Sequence, residues 1–196
     1  TLLTANPLSI KGGAREARTI QKYLYSPAEV AALAAAMPAR YRALVVLLAD
    51  AGLRINEALA LTRSSLIERE DGGMSVRVGR SLHRVGRHLE PGPTKTAAGV
   101  RTVVLMGATA TVLREHLRHH VDEGPGAILF PAPSGSGFAR DTALTRLLAA
   151  AHERAGIIIQ EGMSGGWHAL RHYSATRYGQ AGATTRALMT RYGWSD

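Results

Sequence analysis

The chain has 196 residues, 45% of them hydrophobic, and no cysteine. That length suits one compact domain, or a domain with a short arm, with enough apolar side chains for a real core. The lack of cysteine excludes disulfides and thiolate metal sites and points to a reducing compartment. Lys and Arg number 24 against 15 Asp and Glu, a formal net charge of +9, which biases so small a domain toward polyanions, nucleic acid first.

No apolar run is long enough to span a bilayer, and the longest, RALVVLLADAG, stops at a glycine. The N-terminal stretch TLLTANPLSIKGGAREAR lacks the apolar core of a signal peptide. A membrane surface is a weaker partner than nucleic acid, because no basic amphipathic helix with large aromatic anchors is present. The cations are nearly all arginine. Lysine occurs only at Lys11, Lys22 and Lys95, so each lysine stands out.

In chain order, residues 1–22 read as a linker, with NP and KGG as breakers among scattered Lys and Arg. At Ser26 the pattern sharpens: Ser26 offers an N-cap, Pro27 a first helical position and Glu29 the far side of a capping box. That helix should run to about Ala36. A second should span Ala39 to Ala51, burying Leu44, Val45, Leu47 and Leu48 and stopping at Gly52. A third, RINEALALT, follows at once.

Between Met74 and Met106 the period changes. MSVRVG alternates and RTVVLM is a short β-branched run, so a small antiparallel sheet of two or three strands is expected, with an exposed basic hairpin between them. Helices are expected again over Thr109 to about Val121 and Arg140 to Ala155. After a loop at residues 162–166, two more run from about His168 to Gly182 and from Thr184 to Tyr192. The fold class is mainly α with one small antiparallel β-sheet.

Three places could carry chemistry. Arg54 opens a helix after a glycine turn, where backbone N–H groups and the helix dipole also favour an anion. Glu57, one turn on, can hold it, although a surface ion pair explains the same spacing. Lys95, in GPTKTAAGVRTVVL, lies at the tip or flank of the hairpin. A loop lysine is ordinarily just solvated, but lysine can lose and regain a proton where arginine cannot. In WHALRHYSATRYGQAG, His168 and Arg171 are one turn apart near a helix start, and Ala175 and Tyr178 continue their face. The histidine spacing is wrong for a zinc helix and no carboxylates complete a ligand set, so no metal and no cofactor are expected.

Taken in order, AGLRINEALAL, GPTKTAAGVRTVVL, WHALRHYSATRYGQAGA and LMTRYGWSD resemble the catalytic domain of the tyrosine recombinase (phage integrase) family. The resemblance runs from about Tyr25 to Asp196. It implies that residues 1–22 link to an upstream core-binding domain and that 23–196 form the catalytic domain. Arg54 and Arg171 would grip the scissile phosphate, Lys95 would protonate the departing 5′ oxygen, and His168 would help move the nucleophile's proton. Trp194 falls where the family has His or Trp and would donate a hydrogen bond through its indole. Glu57 would partner Arg54, and His172 would support the box. Arg80, Arg84, Arg87 and His88 cluster in the hairpin region, where they would reach DNA phosphates or form a solvated face.

The implied reaction is strand transfer in double-stranded DNA through a 3′-phosphotyrosine, with neither nucleotide cofactor nor metal. It implies site-specific integration or excision, self-association as a tetramer on DNA, and a place in the bacterial cytoplasm with the nucleoid. In the family the nucleophilic tyrosine follows the H/W motif by a short stretch, which places it beyond residue 196. Tyr192 and Tyr173 read as packing residues, and Tyr178 has no family match. A related tyrosine topoisomerase and a non-catalytic DNA-binding module are the alternatives.

Overall fold

The computed structural model describes residues 21–94 and 96–194. In chain order these form β1 (Gln21–Lys22), α1 (Pro27–Ala36), α2 (Ala39–Ala51), α3 (Ile55–Leu59), β2 (Leu66–Glu68), β3 (Met74–Val78), β4 (Arg80–Val85) and β5 (His88–Pro93). There follow β6 (Arg101–Leu105), α4 (Gly107–His120), α5 (Asp141–Ala155), β7 (Met163–Ser164), α6 (Trp167–Gln180) and α7 (Thr185–Tyr192). The expected mainly helical fold with a small antiparallel sheet is the one observed.

The start of α1 obeys its local signals. The Glu29 backbone N–H donates to Ser26 Oγ at 3.2 Å, and the Ser26 N–H donates back to Glu29 Oε2 at 2.7 Å. Pro27 occupies the first turn, where its missing N–H costs nothing. The central element is α2, which buries Tyr41, Leu44, Val45, Leu47, Leu48 and even Asp50. It packs against α1, α4 and α6, so its C-terminal end lies deep in the domain. Gly52 ends it in the left-handed conformation, at φ 61°. A Cβ there would run into the Tyr192 ring, so glycine is required twice over, by conformation and by space.

The sheet has order β2-β3-β6 and is antiparallel throughout. Its register sets Val78 opposite Arg101 and Met74 opposite Leu105. Side chains alternate along β6, so Arg101 points inward with Val103 and Leu105 while Thr102 and Val104 point out.

Three features depart from the expected pattern. Strand β2, at Leu66–Glu68, precedes the window in which strands were expected. Its three residues are too few to show a period, and pairing with β3 makes it a strand. The basic hairpin, β4 with β5, is a separate two-stranded sheet. Gln21 and Lys22, at the end of the segment read as a linker, pair in parallel with Met163 and Ser164, in a segment read as a loop. This pairing holds β1 beside the start of α6; residues 1–20 lie outside the described residues. No helix among the described residues is long and apolar enough to cross a membrane.

Candidate active site

Arg54 precedes α3, and its backbone N–H donates to Glu57 Oε2 at 2.9 Å. Its guanidinium Nη1 donates to Glu57 Oε1 at 2.8 Å. The surface-pair explanation fails on the carboxylate side: the Glu57 side chain is 2% exposed and that of Arg54 36%. A buried carboxylate needs more than one half-exposed cation. Arg101 is the second, its Nη2 donating to Glu57 Oε2 at 2.9 Å from a side chain 4% exposed. Arg101 also donates to the carbonyls of Gly99 (2.9 Å) and Arg191 (2.8 Å). Burial pushes the Glu57 carboxyl up, but the hydrogen bonds and charge of Arg101, joined by those of Arg54, prevail and hold it below the usual carboxylate range. Glu57 is therefore an anion that fixes Arg54 while leaving part of its guanidinium free.

Arg171 lies on α6, one turn after His168, and is buried. Its two terminal nitrogens donate to two backbone carbonyls, Nη1 to Gly52 and Nη2 to Tyr192. Its guanidinium carbon lies 5.3 Å from the centre of the Tyr192 ring and 5.8 Å from that of Trp194. Burial, with the like charge of Arg54 next, lowers its pKa to about 10, so it stays cationic at neutral pH. Arg54 and Arg171 line one common gap, and the charge of Arg54 is felt at Arg171. Such an arrangement is stabilised by an anion between them.

The gap is a basin of about 220 Å³ lined by Arg54, His168, Arg171, His172, Ala175 and Trp194. His168 and His172 stand on its α6 side with ring centres 6.5 Å apart. Burial lowers the pKa of His168, and the charges of Lys22, Arg171, His172 and Arg54 lower it further, so it is neutral at neutral pH. Trp194 closes the opposite side. Its ring stacks on Tyr192 at 5.0 Å, and Gly193 before it turns the chain at φ 59°. A Cβ on Gly193 would lie 2.7 Å from the Ala98 carbonyl oxygen. Five of the expected site residues thus meet in one hollow, with Glu57 beneath Arg54.

Lys95 lies outside the described residues. Arg84, Arg87 and His88 are exposed on the β4–β5 hairpin, and Arg80 is exposed at its base beside a separate hollow of about 600 Å³. None of the four lines the basin. Tyr178, expected on the face of His168 and Arg171, is not among the residues lining the basin: its hydroxyl donates to Asp50 Oδ1 at 2.9 Å. Seven residues are nearly two full turns, so Tyr178 lies on the same stripe of α6 as Arg171, about 10 Å further along the helix axis. Tyr192 is packed, as expected, with no exposed surface and its hydroxyl 2.7 Å from Ser174 Oγ. Arg101, Asp50 and Arg191 were not anticipated. A signal existed for Arg101, because the alternation of RTVVL places it on the face of Val103 and Leu105.

Comparison with known proteins gives one consistent result. Residues 22–196 match the model of the phage integrase family. The integrase of Mycobacterium phage D29 is 32% identical over 198 residues, covering 98% of this chain and 50% of that protein. The integrase of Mycobacterium phage FRAT1 is also 32% identical, over 98% of this chain and 56% of its own length. The chain therefore spans about half the length of the curated relatives it matches. Among solved structures, the Tn1549 transposon integrase in complex with transposon right end DNA superposes with a TM-score of 0.75 at 19% identity, covering 91% of this chain and 60% of that one. XerA recombinase gives 0.66 at 21% identity, covering 90% and 56%. At such identities the structural likeness establishes the fold.

Proposed function

The chain belongs to the phage integrase family, and from that premise we propose that it is the catalytic part of a site-specific DNA recombinase that cleaves and rejoins strands through a 3′-phosphotyrosine. The observation that carries the reading is the shared basin of Arg54 and Arg171. A phosphodiester seated there has its nonbridging oxygens between two guanidinium groups. These neutralise charge as it builds in the five-coordinate transition state, where attraction is worth most. Both groups are held in advance, Arg54 by Glu57 and Arg171 by two carbonyls, so little reorganisation is needed at the moment of reaction.

In this reading His168, kept neutral by burial and surrounding cations, accepts the proton of the attacking hydroxyl. Lys95 returns a proton to the departing 5′ oxygen. The Trp194 indole N–H donates to the phosphate without titrating, and His172 supports the wall of the basin. The bond energy is kept in the phosphotyrosine and recovered when a second 5′ hydroxyl attacks. The nucleophile is a tyrosine from outside residues 1–196. Each of the chain's six tyrosines is engaged elsewhere or packed: Tyr23 with Glu29, Tyr25 with the Gly165 carbonyl, Tyr41 with the Pro131 carbonyl, Tyr178 with Asp50, Tyr192 with Ser174, and Tyr173 buried. Arg80, Arg84, Arg87 and His88 meet backbone phosphates flanking the site, and protomers assemble as a tetramer on the two DNA sites.

The test is covalent trapping of the full-length protein on nicked attachment-site DNA. A denaturation-resistant protein–DNA adduct is expected, lost on Arg171→Ala. An adduct undiminished in Arg171→Ala would refute the role given to that arginine. DNA binding with no adduct would favour a binding module without chemistry.

A further inference from the structure

The polar cluster behind the basin is not explained by phosphate binding. Asp50, at the end of α2, is 2% exposed. Its Oδ1 accepts from Arg191 Nη2 and from the Tyr178 hydroxyl, both at 2.9 Å, and its Oδ2 from the Met106 backbone N–H at 2.8 Å. Arg191, in the last turn of α7, also donates to the carbonyls of Asp50 (3.0 Å) and Val104 (3.0 Å). Its guanidinium carbon sits 3.8 Å from the centre of the Tyr178 ring. Ser174 closes the cluster, donating to the Asp50 carbonyl at 2.6 Å and lying 2.7 Å from the Tyr192 hydroxyl.

The position of this cluster gives it meaning. Arg171 is aimed by two carbonyls, Gly52 and Tyr192. Gly52 is two residues beyond Asp50, and Tyr192 is one beyond Arg191. The ion pair therefore joins the same two backbone segments from which Arg171 hangs. Together with Ser174, which links the Asp50 carbonyl to the Tyr192 hydroxyl, it ties the end of α2 to the end of α7 and so bears on the spacing of the two acceptors. The arrangement also carries a cost: among the described residues, the buried Arg191 Nε finds no hydrogen-bond partner. Burying an ion pair gives little net stability by itself, and an orphaned donor gives less.

We infer that Asp50 and Arg191 are a positioning pair for Arg171, setting the spacing of the Gly52 and Tyr192 carbonyls and thereby the direction of its guanidinium. Neither residue touches the phosphate. The inference rests on the proposed role of Arg171, and its test separates the two.

Orthovanadate, a tetrahedral phosphate analogue that can expand to five-coordination, is titrated calorimetrically into the chain and its variants, with thermal unfolding followed in parallel. Arg171→Ala is expected to weaken vanadate binding strongly. Arg191→Gln and Asp50→Asn are each expected to weaken it roughly tenfold or more, as a displaced binding group does. The double variant is expected to lose no more than either single one, because the two act as a unit. Leu117→Ala, in α4 and away from the basin, serves as a destabilised control that binds like the parent. If Arg191→Gln does not fold, Arg191→Lys keeps the charge but replaces a two-pronged donor with a point donor, and intermediate binding is expected. Should the Asp50 and Arg191 variants lose stability yet bind like Leu117→Ala, the pair is merely structural and the inference fails. Should Arg171→Ala bind like the parent, it is the proposed function that fails.

Discussion

Arg101 and Glu57, 44 residues apart in the chain, form a buried ion pair at 2.9 Å in which neither side chain is more than 4% exposed. The pair makes Glu57 a buried anchor for Arg54, which lines the basin. Removing one partner of such a pair strands a charge in the interior and costs about 3–5 kcal/mol. Arg101→Met should lower stability by that order at neutral pH, as read from urea unfolding. Because the folded pKa of Glu57 is depressed, its contribution is full above the unfolded carboxylate value and is lost as pH falls through the folded one. The difference between parent and Arg101→Met should therefore narrow in acid.

His168 gives a prediction about charge. Its pKa lies below the ordinary histidine value, first through burial and then through neighbouring cations, of which Lys22 is the first. Lys22→Gln removes one of those cations, so the His168 ring should titrate at higher pH, as followed by its NMR Cε1 proton. Cleavage by the full-length protein should fall as pH drops through the His168 value, and this acid limb should move upward in Lys22→Gln. Stability has a matching sign. With the folded pKa below the unfolded one, it is undiminished above about 6.5 and decreases as pH falls through that value. An unchanged His168 titration in Lys22→Gln would contradict the placement of β1 beside α6.

Gly193 gives a prediction about geometry. At φ 59°, with the Ala98 carbonyl 2.7 Å from the position a Cβ would take, alanine is strained twice. The left-handed conformation alone costs about 1–2 kcal/mol. Gly193→Ala should lose at least that in thermal or urea unfolding. Trp194 fluorescence should shift too, because the ring would leave its stack on Tyr192.

For the hairpin, each phosphate contact contributes a released counterion. Arg84→Ala and Arg87→Ala should each reduce the slope of log K against log salt by about 1, with no change in sequence preference. Unaltered slopes would mean that these arginines form only a solvated face.

Much of this was legible in the residues. The helix boundaries followed from caps and breakers, as at Ser26, Pro27 and Gly52, because those are local physics. The motifs around Arg54 and Arg171 located both halves of the basin, since a helix start after a glycine turn is also local. What could not be read was set by packing between distant segments. An arginine in RTVVL is compatible with either face of a strand until the sheet has an inside. Asp50 in an apolar helix resembles a boundary residue until Arg191 arrives from 141 positions away. Tyr178 does share the stripe of Arg171, nearly two turns on, but its partner could not be read because Asp50 comes from another helix. The pairing of Gln21 and Lys22 with Met163 and Ser164 is too short to leave a pattern.

The central claim is that the guanidinium groups of Arg54 and Arg171 enclose one phosphorus centre. A crystal structure of the chain soaked with orthovanadate tests it most directly. The account predicts a single vanadium in the basin, with oxygens about 3 Å from nitrogens of both arginines and His168 alongside. An empty basin, or two arginines bound to separate ions, would contradict it.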